Sequence, residues 1–287
     1  MKQADKGPVY SPGCGNEQPA EMAIFYDFLR RKGASENTIH VYMASVRLYH
    51  RLYQDVTAEN LQLFKSWLIK HYKPSTVNTR IYAINQYAAS LSLTAEKLPC
   101  IKMHDCVFLE NVISNEDYCR LKGGLRRDKN MRWYFVVRFL AATGVRVSEL
   151  LQIKAEHVRM GYFDLCSKGG KMRRIYFPES LRQEALPWLQ EAGLNTGFIF
   201  TNRRGDLITP RGIHSQLKVL AKRYGIPEKT VYPHAFRHRF AINFLDKFND
   251  ISLLADLLGH DSVETTKIYL TKSSEEQREL IDSIVTW

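Results

Sequence analysis

The stretch HAFRHRFAINFLDKFNDISLLADLLGHDSVETTKIYL, residues 234–270, decides how this chain is read. It predicts three consecutive helices, over 234–247, 251–258 and 263–270. Leu253, Leu254, Leu257 and Leu258 recur at helical steps, forming an apolar stripe that buries the middle helix. Gly259 is suited to end that helix, which leaves His260 at a turn and Tyr269 nine residues further on. His234 and Arg237, three apart, project together from a helix start. A tyrosine at helical spacing is by itself most often a core residue with a satisfied hydroxyl. The rest of the chain therefore has to decide what Tyr269 is for.

Upstream, TGVRVSELLQIK follows a helix that runs from about Met131 to Ala142 and stops at Gly144. A further helix begins near Ser148. Arg146 and Glu149 are three apart and share a face, so the carboxylate can hold the guanidinium in one orientation. The ordinary alternative is a surface ion pair, which contributes little to stability. YFDLCS and RRIYFP are short and β-rich, and the KGGKM between them predicts a hairpin. Helices are also expected over 180–192, over 210–224 and near 274–285.

Residues 1–19 (GPVYSPGCGNEQP within them) are polar and rich in Gly and Pro, the composition of a disordered lead-in. Residues 20–96 predict a four-helix unit. Ser35 caps a helix in which Ile39, Tyr42, Met43, Val46, Tyr49 and Tyr53 recur. Leu61, Phe64 and Leu68 mark the next helix, and Ile81, Ile84, Ala88 and Leu91 mark one after Pro74 and Ser75. Residues 97–111 break the pattern around Pro99 and read as a linker. A second unit, 112–287, opens with a helix near Ser114 whose first turn carries Asn115, Glu116 and Asp117. The fold class is mainly α with a small β-hairpin.

The 287 residues suffice for two modest domains. Lys and Arg number 41 against 30 Asp and Glu, a net charge of +11, which favours a polyanionic partner. The excess is uneven: 13 basic against 10 acidic residues up to position 110, and 28 against 20 beyond it. On the helical unit, Arg47, Arg51, Lys73 and Arg80 dot the polar faces. A solvated face and a set of phosphate contacts look alike there.

Five cysteines at 14, 100, 106, 119 and 166 are odd in number and irregularly spaced, which argues against a disulfide framework. Cys100, His104 and Cys106 lack a fourth nearby ligand and a C-x2-C pair, so no metal site is expected. No signal-peptide pattern and no apolar run of membrane-spanning length is present. The protein is expected to be cytoplasmic and associated with the nucleoid, with no membrane partner.

Taken in order, ATGVRVSELLQIK, the SKGGK hairpin, HAFRHRFA and LLGHDSVETTKIYL resemble the tyrosine recombinase (phage integrase) family, over the region from about 112 to 287. The N-terminal helices look like that family's core-binding domain, an Xer-like two-domain architecture. The resemblance implies an enzyme that cleaves and rejoins DNA through a 3′-phosphotyrosine, for integration, excision, inversion or dimer resolution. Tyr269 would be the nucleophile, and Arg146 and Arg237 would bind the scissile phosphate. His234 and His260 would assist by hydrogen bonding and proton transfer. Lys168 would protonate the leaving 5′ oxygen, with Lys171 as its rival. Glu149 would support Arg146. Arg239 stands where a small polar residue is more usual in the family, either as a phosphate contact or as a surface charge.

The implied partners are double-stranded DNA with an inverted-repeat site and three further copies of the chain, forming a homotetramer, with room for accessory DNA-bending proteins. No cofactor is implied. The tail after Tyr269, with Leu280, Ile281, Ile284 and Trp287 at helical steps, would dock on a neighbouring protomer or pack on its own domain.

These residue types suit the chemistry. A phosphodiester repels nucleophiles, and attack adds charge to its equatorial oxygens. Guanidinium groups stay charged and donate paired hydrogen bonds to such oxygens. A tyrosine hydroxyl has a pKa near 10 and must lose its proton, whereas an alkoxide leaves only with one supplied. A phosphotyrosyl link retains the ester bond, so a 5′ hydroxyl can reseal the strand. Two other readings use the same residues: a type IB topoisomerase-like or telomere-resolving enzyme, and a DNA-binding architectural protein with an inactive site.

Overall fold

The computed structural model describes residues 20–93, 97–102, 111–166, 172–202, 204–260, 262–269 and 282. The chain separates into two compact units, Met1–Asp105 and Cys106–Trp287. Among the described residues no helix is long and apolar enough to cross a membrane.

The first unit is a four-helix bundle: α1 (Ala20–Arg31), α2 (Glu36–Leu52), α3 (Ala58–His71) and α4 (Pro74–Ser90). Ser35 accepts the Thr38 N–H and Thr57 the Asn60 N–H, so α2 and α3 start on side-chain caps. Pro74 sits in the first turn of α4, where its missing N–H costs nothing. Phe25, Ile39, Val46, Tyr49, Phe64 and Tyr87 are buried in one core. The two buried tyrosines satisfy their hydroxyls: Tyr49 donates to the Asp55 carbonyl, and Tyr87 bonds His50 and Glu21. Residues 97–102 are not helical, and part of this segment is fastened to α4. Asn85 pairs with both backbone groups of Leu98, and Asn78 with both of Ile101.

In the second unit α5 (Asn115–Arg127) starts on Ser114 and packs on α6 (Met131–Thr143). In α6, Tyr134 to Val137, Phe139 and Leu140 are all buried, because α5, α9 (Glu179–Glu191) and α11 (Pro233–Phe248) surround it. After α6 come α7 (Val147–Leu150) and α8 (Ala155–Met160), then an antiparallel hairpin of β1 (Tyr162–Cys166) and β2 (Met172–Tyr176). Its register pairs Phe163 with Ile175 and Leu165 with Arg173. The four residues form the hairpin's more buried face, while Arg174 on the other face pairs with Asp164 and covers the Tyr162 ring. α10 (Pro210–Arg223) precedes α11. The sheet's second strand packs against α12 (Ile251–Leu258).

The helix expected over 263–270 is a single turn, α13 (Glu264–Lys267). It has no side-chain cap at Val263, and β-branched Thr265 and Thr266 resist extending it. Tyr269 lies in the turn that follows. The helix expected near 274–285 falls outside the described residues, apart from Asp282, and the docking of the tail falls outside them altogether.

Candidate active site

Four elements far apart in sequence supply the site, and one turn joins them. The α6 helix ends at Gly144 with φ +62, and α12 ends at Gly259 with φ +64, both in the left-handed region that favours glycine. Space reinforces the choice. A Cβ at Gly144 would lie 2.6 Å from the Phe240 ring, and one at Gly259 would strike the Arg173 guanidinium.

Arg146 does not ride on a helix beside Glu149. It is the residue before α7, in extended conformation (φ −70, ψ 153). The spacing of three works instead as a capping arrangement. Glu149 Oε2 accepts the Arg146 backbone N–H at 2.7 Å, and Oε1 accepts its Nη1 at 2.9 Å. Arg146 Nη2 donates to the Gly259 carbonyl at 2.9 Å. Its side chain is 39% exposed, so it is held at the surface of the unit rather than inside it.

Arg237 is buried, 3% exposed, on α11. It donates to the carbonyls of Gly144 and Leu258, each at 2.7 Å. Burial, and then the charge of Arg146, push its pKa down to about 10, which leaves it protonated at neutral pH. His234 faces outward at the start of α11. Surrounding protein, then the cations of Arg237 and Arg146, lower its pKa. His260 follows the α12 turn, and its Nδ1 bonds the hydroxyl of fully buried Thr266 at 2.7 Å. The Tyr269 ring packs on α11 and α12 against the cluster of Ala241, Leu245, Leu254 and Leu258.

Two contributors escaped the sequence reading. Arg173 of β2 donates Nη2 to Glu149 Oε2 at 2.9 Å and Nη1 to the Leu258 carbonyl. Its signal was strand alternation: it shares the inward face with Ile175. His238 places Nδ1 3.0 Å from the Tyr269 hydroxyl. It lies one helical turn beyond His234, on the same face.

Glu149 thus serves two arginines. Burial raises the pKa of its carboxyl, but the Arg146 N–H, the Arg173 charge and the Arg146 side chain outweigh it and hold it below the usual carboxylate value. A carboxylate depressed in the folded state contributes stability at neutral pH that is lost as pH falls through the ordinary carboxylate range and below. Glu149→Gln is expected to cost about 3 kcal/mol at pH 7, as removal of one member of a buried ion pair does. It should also flatten this contribution to the acid loss. Urea midpoints from pH 3 to pH 7 for both chains would measure it.

Beside Arg146, a cavity of about 830 Å³ is lined by Glu149, Cys166, Met172, Arg173, Asp256 and Gly259. Lys168 and Lys171 fall outside the described residues. Arg239 stacks on the Tyr118 ring, with its guanidinium 4.6 Å from the centroid, and Arg80 likewise on Tyr72 at 4.5 Å. Arg47, Arg51 and Lys73 are exposed on the bundle. Cys100 is exposed too, and His104 and Cys106 lie outside the described residues.

Guanidinium groups gathered around a tyrosine hydroxyl can bind an anionic ester and present a nucleophile to it. Residues 112–276 match the phage integrase family. Tyrosine recombinase XerD of Listeria innocua is 30% identical over 259 residues, which span 87% of this chain and 76% of that one. Tyrosine recombinase XerA of Pyrococcus furiosus is 28% identical over 267 residues, 90% of this chain and 91% of that one. The chain therefore belongs to the phage integrase family, the site-specific tyrosine recombinases, which cleave and rejoin DNA.

Solved structures share the fold. The Tn1549 transposon integrase in complex with transposon right end DNA superposes with a TM-score of 0.71 at 15% identity, covering 93% of this chain and 99% of that one. The lambda integrase tetramer bound to a Holliday junction gives 0.70 at 15% identity, covering 89% and 78%.

Proposed function

We propose that the chain exchanges DNA strands between two inverted-repeat sites through a 3′ link to Tyr269, as a homotetramer in the cytoplasm on nucleoid DNA. Accessory DNA-bending proteins are compatible partners. The observation that carries this reading is the turn at 258–259, whose carbonyls hold Arg146 and Arg237 in the same unit as the Tyr269 hydroxyl, itself 3.0 Å from His238 Nδ1.

In the proposed reaction Arg146 and Arg237 receive the scissile phosphate. Each spends two N–H donors on protein acceptors, which leaves others of its five for phosphate oxygens. His234, at the start of α11, and His260, fixed by Thr266, hydrogen-bond the phosphate as charge builds. Glu149 holds Arg146 in position. Lys168 donates the proton to the departing 5′ oxygen. Cys166 and Met172, the strand ends on either side of it, line the same cavity as Arg146, which supports that role. Residues 20–96 act as the core-binding DNA domain, 97–111 as the linker and 112–287 as the catalytic domain. Arg47, Arg51, Lys73, Arg80, Lys171 and Arg239 are candidate phosphate contacts.

The test uses DNA flanking the gene that carries inverted repeats around a short spacer, nicked to trap the intermediate. A detergent-resistant adduct whose labelled peptide contains Tyr269, together with strand exchange between two such sites, is the expected result. An adduct on another residue, or relaxation with no exchange, would overturn the reading.

A further inference from the structure

We propose that His238 is a catalytic residue of this reaction, whose Nδ1 takes the Tyr269 hydroxyl proton during attack and returns it during resealing. This rests on the reading of Tyr269 as the nucleophile.

The geometry is specific. His238 and Tyr269 are 31 positions apart, yet Nδ1 lies 3.0 Å from the hydroxyl. The rings are 5.6 Å apart at 52°, so the contact is made through the ring nitrogen rather than by stacking. His234 stands behind, with its ring 6.3 Å from that of His238. The direction of the bond follows from the charge states. Burial, then His234 and Arg237, hold the His238 pKa down at about 4, so its imidazole is neutral at working pH. Burial keeps the Tyr269 hydroxyl protonated, despite Arg237 and Arg146 and with Tyr232 adding to the rise. A protonated phenol facing a neutral imidazole donates to it, so Nδ1 is the acceptor and Nε2 carries the ring proton.

A base this weak does not ionise a resting tyrosine, and that suits an enzyme that must not fire without DNA. The balance changes during attack. As the Tyr269 oxygen bonds to phosphorus, its basicity collapses. The bound phosphate also offsets the Arg237 cation that suppresses His238. The Oη–P bond forms, the P–O5′ bond breaks, the tyrosyl proton passes to Nδ1, and the 5′ oxygen receives a proton from the general acid. Resealing runs these transfers backwards, so no oxidant or cofactor enters the balance.

His238→Asn separates the two roles a histidine can have here. The asparagine carbonyl can accept the hydroxyl at the place of Nδ1 but cannot take up a proton. Single-turnover adduct formation on the nicked substrate would be followed from pH 6 to pH 9, with DNA binding and thermal melting as controls. Expected is a loss of about 10²- to 10⁴-fold at pH 7. The variant's rate should then climb about tenfold per pH unit as hydroxide substitutes for the base, while the native rate changes much less. A variant close to the native rate, or one slowed equally at every pH, overturns the proposal. His238→Ala, which likewise cannot take up a proton, is read by the same pH profile if the asparagine chain does not fold. An adduct that persists in Tyr269→Phe would sink the nucleophile reading itself. A silent Tyr269→Phe beside a fully active His238→Asn would sink this inference alone.

Discussion

A Tyr269→Phe chain is expected to bind its DNA site with unchanged affinity and to form no covalent adduct. The change removes one oxygen and leaves the ring against the cluster of Ala241, Leu245, Leu254 and Leu258, so the packing persists. What is lost is the nucleophile and the hydrogen bond to His238. Loss of that bond should cost about 1 kcal/mol of stability, too little to unfold the unit. Gel mobility shift and denaturing electrophoresis on the same nicked substrate read the two quantities side by side. A phenylalanine chain that still captures DNA would move the chemistry elsewhere in the protein.

Arg237→Lys is expected to slow adduct formation by about 10²- to 10³-fold, the usual effect of removing one preorganised donor to a developing oxyanion. The positive charge is kept, so binding at moderate salt should change little. The geometry is not kept. Arg237 spans the carbonyls of Gly144 and Leu258 with two separate nitrogens, and a single ammonium cannot hold both and still fork onto a phosphate. Single-turnover rates at saturating chain measure the effect without interference from affinity. A lysine variant within threefold of the native rate would mean that the guanidinium fork is dispensable.

Much of this was legible in the sequence, for identifiable reasons. The Ser35 cap, the acidic first turn after Ser114 and the β-rich pair around KGGKM are local signals, and α2, α5 and the hairpin formed where those signals lie. Of the leucine stripe, Leu254 and Leu258 are buried in α12, whereas Leu253 is exposed. The order of motifs identified the family. Side-chain spacing could not reveal acceptors that are backbone atoms. The carbonyls of 144, 258 and 259 carry no sequence signature, yet they take hydrogen bonds from three arginines. Spacing also misled at Arg146, because three residues apart describes a cap and its third helical position as well as two residues on one helix. Arg173 was passed over because a strand arginine is usually outward, as Arg174 is. The extent of α13 was overestimated because periodicity does not register a missing cap.

The turn at 258–259 has a bearing on how this protein comes into being. Leu258 receives Arg237 and Arg173, and Gly259 receives Arg146. A polypeptide that has emerged only as far as α11 already contains all three cations and none of these acceptors. Among the described residues, Arg237 then has Gly144, and Arg146 and Arg173 have their shared Glu149. Until the chain has passed this turn, the three arginines lack their shared acceptors, and the tyrosine that follows the turn is missing as well.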